Sequence, residues 1–175
     1  ETEIINSQDR NKKIDVGIIL GGPNKYYSFN DQEIVKIINE ILQKFMNDKN
    51  YLRIVTSRRT PSKTINLIKE KFKNLNYVEI DTSLSKSKYI HTLANSEILI
   101  VTSDSISMIS EAAITGKPIY VAYLKSVKND YRFKRFFKSF EEMGIIKSLK
   151  NDEKVWTYKK LYESKRVADI INKKN

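Results

Sequence analysis

Short runs of branched apolar residues alternate with longer segments of helical period along most of the chain. Several of the short runs are apolar at successive positions, which is expected when both faces of a strand are covered. The alternation therefore predicts an α/β fold, with a mostly parallel sheet between two layers of helices in a Rossmann-like three-layer sandwich. The predicted strands are residues 14–20, 51–56, 77–80, 97–102 and 119–123.

Apolar residues at helical spacing fill the intervals between the predicted strands. Helix starts are marked by Asn30 or Asp31 and by Pro61, which favour a first turn. Gly116 is a natural left-handed end for a helix, and Pro118 blocks its continuation. The predicted helices begin after a cap at Asn30 or Asp31 and at Pro61, cover 89–95 and 103–115, run from Phe133 to before Gly144, and extend from Leu161 to the C-terminus.

The N-terminal segment differs from the rest. Residues 1–13 are polar, charged and without periodicity, and are expected to be a tail or linker. Residues 14–175 are expected to form one domain, since this length suits a single core. The first three residues do not resemble a signal peptide, and no apolar run approaches the roughly 20 residues of a membrane span. A cytoplasmic domain is therefore expected.

Composition excludes several kinds of site. The chain has no cysteine and one histidine, His91, which excludes disulfides, zinc–thiolate centres and cysteine nucleophiles. No metal site is expected, and His91 is interpreted as a helix-surface or packing residue. The net charge of +11 favours phosphate-bearing partners. Because the lysines are scattered, a solvated surface shaped by composition bias is the alternative, and nucleic acid is not an expected partner.

Ligands of parallel sheets bind at the carboxyl ends of the strands, so the turns there are the candidate sites. After the first predicted strand, Gly21 and Gly22 would let backbone N–H groups approach a phosphate, and Lys25 would add charge. The turn matches neither the dinucleotide nor the P-loop fingerprint. An ordinary tight turn is the alternative.

The turn after the second predicted strand contains Ser57, Arg58 and Arg59. Arginine grips phosphate or carboxylate through two parallel hydrogen bonds, which lysine cannot reproduce. Because this chain otherwise prefers lysine, the arginine pair indicates an anionic ligand. A solvated turn with a helix cap is the alternative.

The segment after the fourth predicted strand is the richest in polar side chains. Ser103, Asp104, Ser105 and Ser107 lie at a strand-to-helix junction, where unpaired N–H groups and the helix dipole favour an anion. Glu111 follows about two turns into the helix, where a carboxylate can accept hydrogen bonds from the paired hydroxyls of a ribose. The alternative is that the serines and Asp104 cap the helix and Glu111 pairs with a lysine.

The stretch from Lys128 to Phe140 is both basic and aromatic. Such a stretch can form a helix on a membrane surface. Its phenylalanines, however, follow the spacing of a buried helix face, which favours a packed amphipathic helix. These are Phe133, Phe136, Phe137 and Phe140.

Together these segments resemble the C-terminal half of the mitochondrial fission ELM family over about residues 14–170. One departure is Ser87-Lys88-Tyr89, where Asn-Pro-Tyr is expected. The resemblance rests on Gly21-Gly22-Pro23, on Ser57-Arg58-Arg59-Thr60-Pro61, on the pattern D-S-x-S-M-x-x-E-A at 104–112, and on residues 116–121.

That family is similar to GT-B glycosyltransferases, whose C-terminal domain holds the nucleotide of a sugar donor. The resemblance implies a nucleoside-diphosphate sugar as ligand, no resident cofactor, and an N-terminal domain as partner, so that this chain by itself has no turnover. Bacterial relatives have also been described as predicted nucleoside-diphosphate-sugar epimerases, but the glycine pattern for NAD is absent here. The alternative is a non-catalytic scaffold that contacts membrane or partner proteins. The resemblance directs Gly21, Gly22, Arg58, Arg59, Ser103, Asp104 and Ser105 toward phosphate and Glu111 toward ribose.

Overall fold

The structure, a computed structural model, describes residues 13–47 and 49–161. Strands and helices alternate along this part of the chain, as the sequence predicts. The strands are β1 (Ile14–Leu20), β2 (Asn50–Thr56), β3 (Val78–Asp81), β4 (Ile98–Thr102), β5 (Ile119–Ala122) and β6 (Ile146–Ser148). The helices are α1 (Asp31–Phe45), α2 (Ser62–Phe72), α3 (Lys86–Asn95), α4 (Ile106–Ala113) and α5 (Tyr131–Glu142).

The strands form one six-stranded sheet in the order β3-β2-β1-β4-β5-β6. Every pairing in it is parallel. The chain builds outward from β1 to β3 and then crosses back to β4, so the strand order reverses between β1 and β4. The loops after these two strands flank the crevice where ligands of such sheets bind. The predicted Rossmann-like α/β class is confirmed.

Helices cover both faces of the central strands, which is why these strands are mostly apolar. The side chains from Val16 to Leu20 are buried, as are all those of β4 and β5. Helices α1 and α2 contact each other, α3 packs on β1 and β2, and α4 packs on β4 and β5. Asn30 caps α1 by accepting a hydrogen bond from the Glu33 N–H at 3.0 Å, as expected for this residue type.

Helix α3 begins at Lys86, ahead of the predicted start at Tyr89. Ser85 is its N-cap, and the hydroxyl of Ser85 accepts from the Lys88 N–H at 3.4 Å. A serine cap sets the start of a helix independently of its apolar pattern.

Helix α4 is shorter than predicted, because residues 103–105 remain in the loop after β4 and the helix ends at Ala113. Gly116 has a φ of +75°, which agrees with its predicted role as a left-handed terminus. The shorter helix leaves Asp104 and Ser105 free to contact other loops.

Helix α5 packs by its aromatic face, as its spacing predicts. Phe137 and Phe140 are buried, and Phe133 lies 5.1 Å from the rings of both Tyr26 and Tyr27. Among residues 13–47 and 49–161, no helix has the length and apolar character needed to cross a bilayer. His91 is exposed on α3, which agrees with a helix-surface residue.

Strand β6 was not predicted from the sequence. Its three residues are too few to show an alternation, and the strand exists because it pairs with β5. The predicted tail at 1–13 and the predicted helix from Leu161 lie outside the described residues, apart from Lys13 and Leu161 themselves.

Candidate functional site

A buried ion pair joins the three loops that the sequence singled out. The side chain of Asp104, after β4, is 0% exposed, and its Oδ2 lies 2.9 Å from Nη2 of Arg59. The same oxygen accepts from the Gly22 N–H at 2.9 Å. Nη1 of Arg59 donates to the Gly22 carbonyl at 2.8 Å. The loops after β1, β2 and β4 therefore meet at one point on the carboxyl edge of the sheet.

Gly21 and Gly22 occupy the closest contacts of this junction. A Cβ on Gly21 would lie 2.1 Å from Oδ2 of Asp104, and one on Gly22 would lie 2.2 Å from the carbonyl oxygen of Arg59. The Gly21 N–H donates to Oγ1 of Thr102 at 2.9 Å, and that of Gly22 is taken by Asp104. Both amides are engaged within the protein, so the glycines serve the close packing of the loops.

Ser57 and Thr60 shape the turn that carries the two arginines. The Ser57 N–H donates to Oγ1 of Thr60 at 2.9 Å, and the Thr60 hydroxyl donates to the Gly21 carbonyl at 2.6 Å. The N-cap of α2 is Pro61, with no side-chain capping bond, so these hydroxyls do not cap the helix. The turn directs Arg59 inward to Asp104.

Arg58 takes no part in the hydrogen bonds and the ion pair of this junction. Its side chain is exposed, and it forms no ion pair with any residue in the described ranges. The two adjacent arginines therefore differ: Arg59 belongs to the protein's own structure, whereas Arg58 is available to an anion.

A cavity of about 500 Å³ opens beside the junction, a size typical of small-molecule sites. Six of the predicted site residues line it: Ser57, Arg58, Arg59, Ser105, Ser107 and Glu111. Residues that sequence reasoning did not assign to a site also line it: Val55, Thr56, Asp81, Leu84, Ser85, Lys86, Tyr89 and Met108.

Five predicted residues do not line the cavity: Gly21, Gly22 and Asp104 form the loop junction, and Ser103 and Lys25 lie elsewhere. Ser103 is fully buried, and its Oγ accepts from the Leu124 N–H at 3.0 Å. Lys25 is exposed, and its Nζ lies 5.0 Å from the centre of the Tyr26 ring. Ser103 thus ties the loop after β4 to the segment after β5, and the structure gives Lys25 a contact with an aromatic ring.

The first turn of α4 is open on the side of the cavity. Ser105 is the N-cap residue, but its side chain makes no capping bond, and its hydroxyl lies 3.2 Å from the hydroxyl of Ser107. Unpaired N–H groups and the positive end of the helix dipole attract anions at such a terminus. The capping alternative is thus not what the structure shows for Ser105 or for Asp104.

Tyr89 and Glu111 form a pair in the cavity wall. The Tyr89 hydroxyl donates to Oε2 of Glu111 at 2.6 Å. Burial, and then this hydrogen bond, raise the pKa of Tyr89 well above its ordinary value. Glu111 therefore pairs with a tyrosine and not with a lysine. Tyr89 ends the segment in which the sequence departs from the family pattern, and the tyrosine itself matches that pattern.

The β3–α3 loop supplies the residues that no sequence motif indicated. Oδ1 of Asp81 accepts from the N–H and the hydroxyl of Ser83 at 2.8 and 2.6 Å. The hydroxyl bond is the main reason that the pKa of Asp81 is lowered. Leu84 has a φ of 59° and is 52% exposed at the cavity. A left-handed backbone is strained for leucine, and such strain concentrates at ligand sites.

We expect Tyr89→Phe to make stability less sensitive to alkaline pH. An unfolded tyrosine titrates near pH 10, while folded Tyr89 holds its proton to higher pH. Its contribution is therefore complete below about pH 10 and is lost as pH rises through the folded pKa. Urea unfolding across this range should show a shallower decline for the variant. Tyr131→Phe, at a 65% exposed position, is the control, and identical profiles for the two variants would contradict the prediction.

A solved structure shares this fold. The UDP-GlcNAc 2-epimerase of Methanocaldococcus jannaschii, crystallised in complex with UDP-GlcNAc and UDP, superposes with a TM-score of 0.60 at 15% identity. The match covers 92% of this chain and 46% of that one. At this identity the likeness concerns the fold alone, which is a Rossmann-like α/β fold.

Sequence relatives are closer. An uncharacterized protein of Rickettsia prowazekii (strain Madrid E) is 35% identical over 165 residues, covering 88% of this chain and 45% of the relative. The mitochondrial fission protein ELM1 of Arabidopsis thaliana is 29% identical over 144 residues, covering 81% and 33%. The chain thus spans less than half the length of these curated relatives. The family model described as Mitochondrial fission ELM1 matches residues 3–174, and the chain therefore belongs to the mitochondrial fission ELM1 family.

Proposed function

We propose that the cavity beside the loop junction binds the nucleoside diphosphate of a nucleotide sugar. The observation that carries the proposal is that Arg58, which has no ion-pair partner within residues 13–47 and 49–161, lines the same cavity as the uncapped first turn of α4. A guanidinium facing a helix N-terminus is an arrangement suited to phosphate oxygens. The hydroxyls of Ser105 and Ser107 then donate to the same diphosphate.

Glu111 is proposed to receive the ribose. Its Oε2 is held by Tyr89, which orients the carboxylate and leaves Oε1 to accept from ribose hydroxyls. The two neighbouring hydroxyls of a ribose can donate hydrogen bonds to the Glu111 carboxylate. A phosphate would be repelled there, because both groups are negatively charged. The opposite charges of Arg58 and Glu111 therefore fix the direction in which the nucleotide lies.

The remaining walls of the cavity suit a nucleobase. Leu84 and Met108 provide apolar surface, and Asp81 and Lys86 provide polar groups at its edge. Small-molecule sites commonly combine such apolar walls with a few polar groups that set orientation. UDP-GlcNAc and UDP, which occupy the complex of the archaeal structural neighbour, are the first ligands to test.

The chemistry that fits this domain is glycosyl transfer. Arg58 and the α4 terminus would stabilise the negative charge that develops on a departing diphosphate. The acceptor and the general base would come from an additional, N-terminal domain, and the relatives are indeed longer than this chain.

Calorimetric titration with a panel of nucleoside-diphosphate sugars tests the proposal. Saturable binding is expected, and Arg58→Ala combined with Glu111→Ala should weaken it by at least about tenfold, since each removes a charged hydrogen-bonding group. Arg135→Ala combined with Glu142→Ala makes the same change of charge on exposed positions of α5 and should bind as the unaltered chain does.

Two results would count against the donor site. Absence of saturable binding by a correctly folded chain would favour the scaffold alternative, in which the fold serves association with membrane or partner proteins. Equal affinity in the two double variants would show that any binding takes place elsewhere on the molecule.

A further inference from the structure

The outer face of α5 carries a cluster of cations that the proposed donor site does not use. Arg132 and Arg135 are exposed on the helix, and the loop before it adds two exposed lysines, Lys125 and Lys128. The four cations lie in one short stretch of chain. None of these four forms an ion pair within residues 13–47 and 49–161. Lys134 and Lys138, on the same helix, are partnered by Asp130 and Glu142 at 3.1 and 3.9 Å.

Two apolar side chains stand among these cations. Val127 is 55% exposed and Tyr131 is 65% exposed. By helical geometry Tyr131 and Arg135 lie one turn apart on the side of α5 opposite its buried phenylalanines. We define these six residues as the basic face: Lys125, Val127, Lys128, Tyr131, Arg132 and Arg135.

The basic face is held in a fixed shape. The Ser28 N–H donates to the Lys125 carbonyl and the Val127 N–H donates to the Tyr26 carbonyl, each at 2.8 Å. Beneath it, Phe133 packs on Tyr26 and Tyr27. The cations are thus presented by an ordered loop and a packed helix rather than by a loose segment.

Apart from the acidic N-cap residue Asp130, the charges along α5 lie against the helix dipole. No acidic residue lies in its first turn and no basic residue in its last. Arg132 and Arg135 lie near the positive end of the helix dipole, while Glu141 and Glu142 lie at its negative end, the reverse of the favourable arrangement. Because these charges do not stabilise the helix, they indicate that a binding partner requires them. The use of arginine, in a chain that mostly uses lysine, also argues against composition bias.

From these observations we infer that the basic face docks this domain onto an anionic lipid bilayer. Cations attract acidic headgroups, and tyrosine favours the interfacial level of a bilayer. An exposed valine among the cations gains from contact with acyl chains but gains nothing from a nucleic-acid backbone, and this favours lipid as the partner. The buried phenylalanines stay in the core, so contact is peripheral. This inference is independent of the donor site.

Co-sedimentation with vesicles tests the inference. The 175-residue chain should sediment with phosphatidylcholine vesicles that contain phosphatidylserine and not with phosphatidylcholine alone, and salt near 0.5 M should weaken binding through screening. Arg132→Glu combined with Arg135→Glu should lower partitioning by at least about tenfold. This variant improves the charge order of α5, so loss of binding would not reflect unfolding. Val127→Ser combined with Tyr131→Ser should weaken partitioning several-fold.

Lys36→Glu combined with Lys71→Glu is the matched control, because it makes the same change of charge at exposed lysines of α1 and α2. It should retain at least the larger part of the binding. The inference is overturned by equal binding to neutral vesicles, by equal loss in the two charge-reversal variants, or by tight binding to an RNA duplex without binding to vesicles.

Discussion

Replacement of Gly22 by alanine is expected to lower the free energy of unfolding by about 3 kcal/mol, the upper range for forcing an extra carbon into a packed interior. The new Cβ would lie 2.2 Å from the carbonyl oxygen of Arg59. A backbone atom cannot rotate away as a side-chain tip can, so the loops after β1 and β2 must separate. Urea denaturation monitored by circular dichroism measures the loss.

Gly144→Ala is the control for this prediction. Gly144 has a φ of +67° and no heavy atom within 4 Å of an added Cβ. Only the left-handed backbone opposes alanine there, at about 1 kcal/mol. Equal losses in the two variants would show that the loop junction yields easily and that Gly22 is not required for close packing.

The two arginines are expected to give opposite results when each is replaced by alanine. Arg59→Ala leaves the carboxylate of Asp104 buried, with only the Gly22 N–H as partner among the described residues. Losing one partner of a buried pair costs about 3–5 kcal/mol. Because the Arg59 side chain is 43% exposed, water and salt screen the pair, and we expect about 2 kcal/mol. Arg58→Ala should change stability by less than about 0.5 kcal/mol, as for other exposed positions.

Ligand affinity, in contrast to stability, should depend strongly on Arg58. Arg58→Ala is expected to weaken binding of a nucleoside diphosphate about ten- to a hundredfold, the worth of a charged bidentate contact. Arg58→Lys should restore part of it, because lysine keeps the charge but not the fork. Urea denaturation and calorimetric titration of the same samples measure both quantities. The assignment fails if Arg58→Ala destabilises as much as Arg59→Ala, or if it leaves affinity unchanged.

Strand and helix positions were largely predictable because burial on both faces of a parallel sheet requires short apolar runs, and these runs are visible in the sequence. The run from Ile14 to Leu20 is an example, and its bounds agree with those of β1. Strand β6 escaped prediction since its three residues depend on the neighbouring strand and not on a pattern of their own.

The candidate site was predictable in part. The paired arginines stand out in the sequence because arginine is scarce beside lysine in this chain, and the helix start stands out because its serines are clustered. The β3–α3 loop does not stand out in the sequence. Leu84 has a left-handed backbone with a φ of 59°, and a leucine gives no sign of that conformation. Tyr89 becomes a site residue only through its bond to Glu111, 22 positions away.

The sequence by itself determined the alternating architecture and the turns at which a ligand would be met, because periodicity and turn chemistry are local properties. The different tasks of Arg58 and Arg59 were decided only by the tertiary structure. Neighbouring residues of the same type are indistinguishable in a sequence. The buried carboxylate of Asp104, 45 positions away from Arg59, pairs with Arg59, whereas Arg58 has no ion-pair partner in the part of the chain that the structure describes.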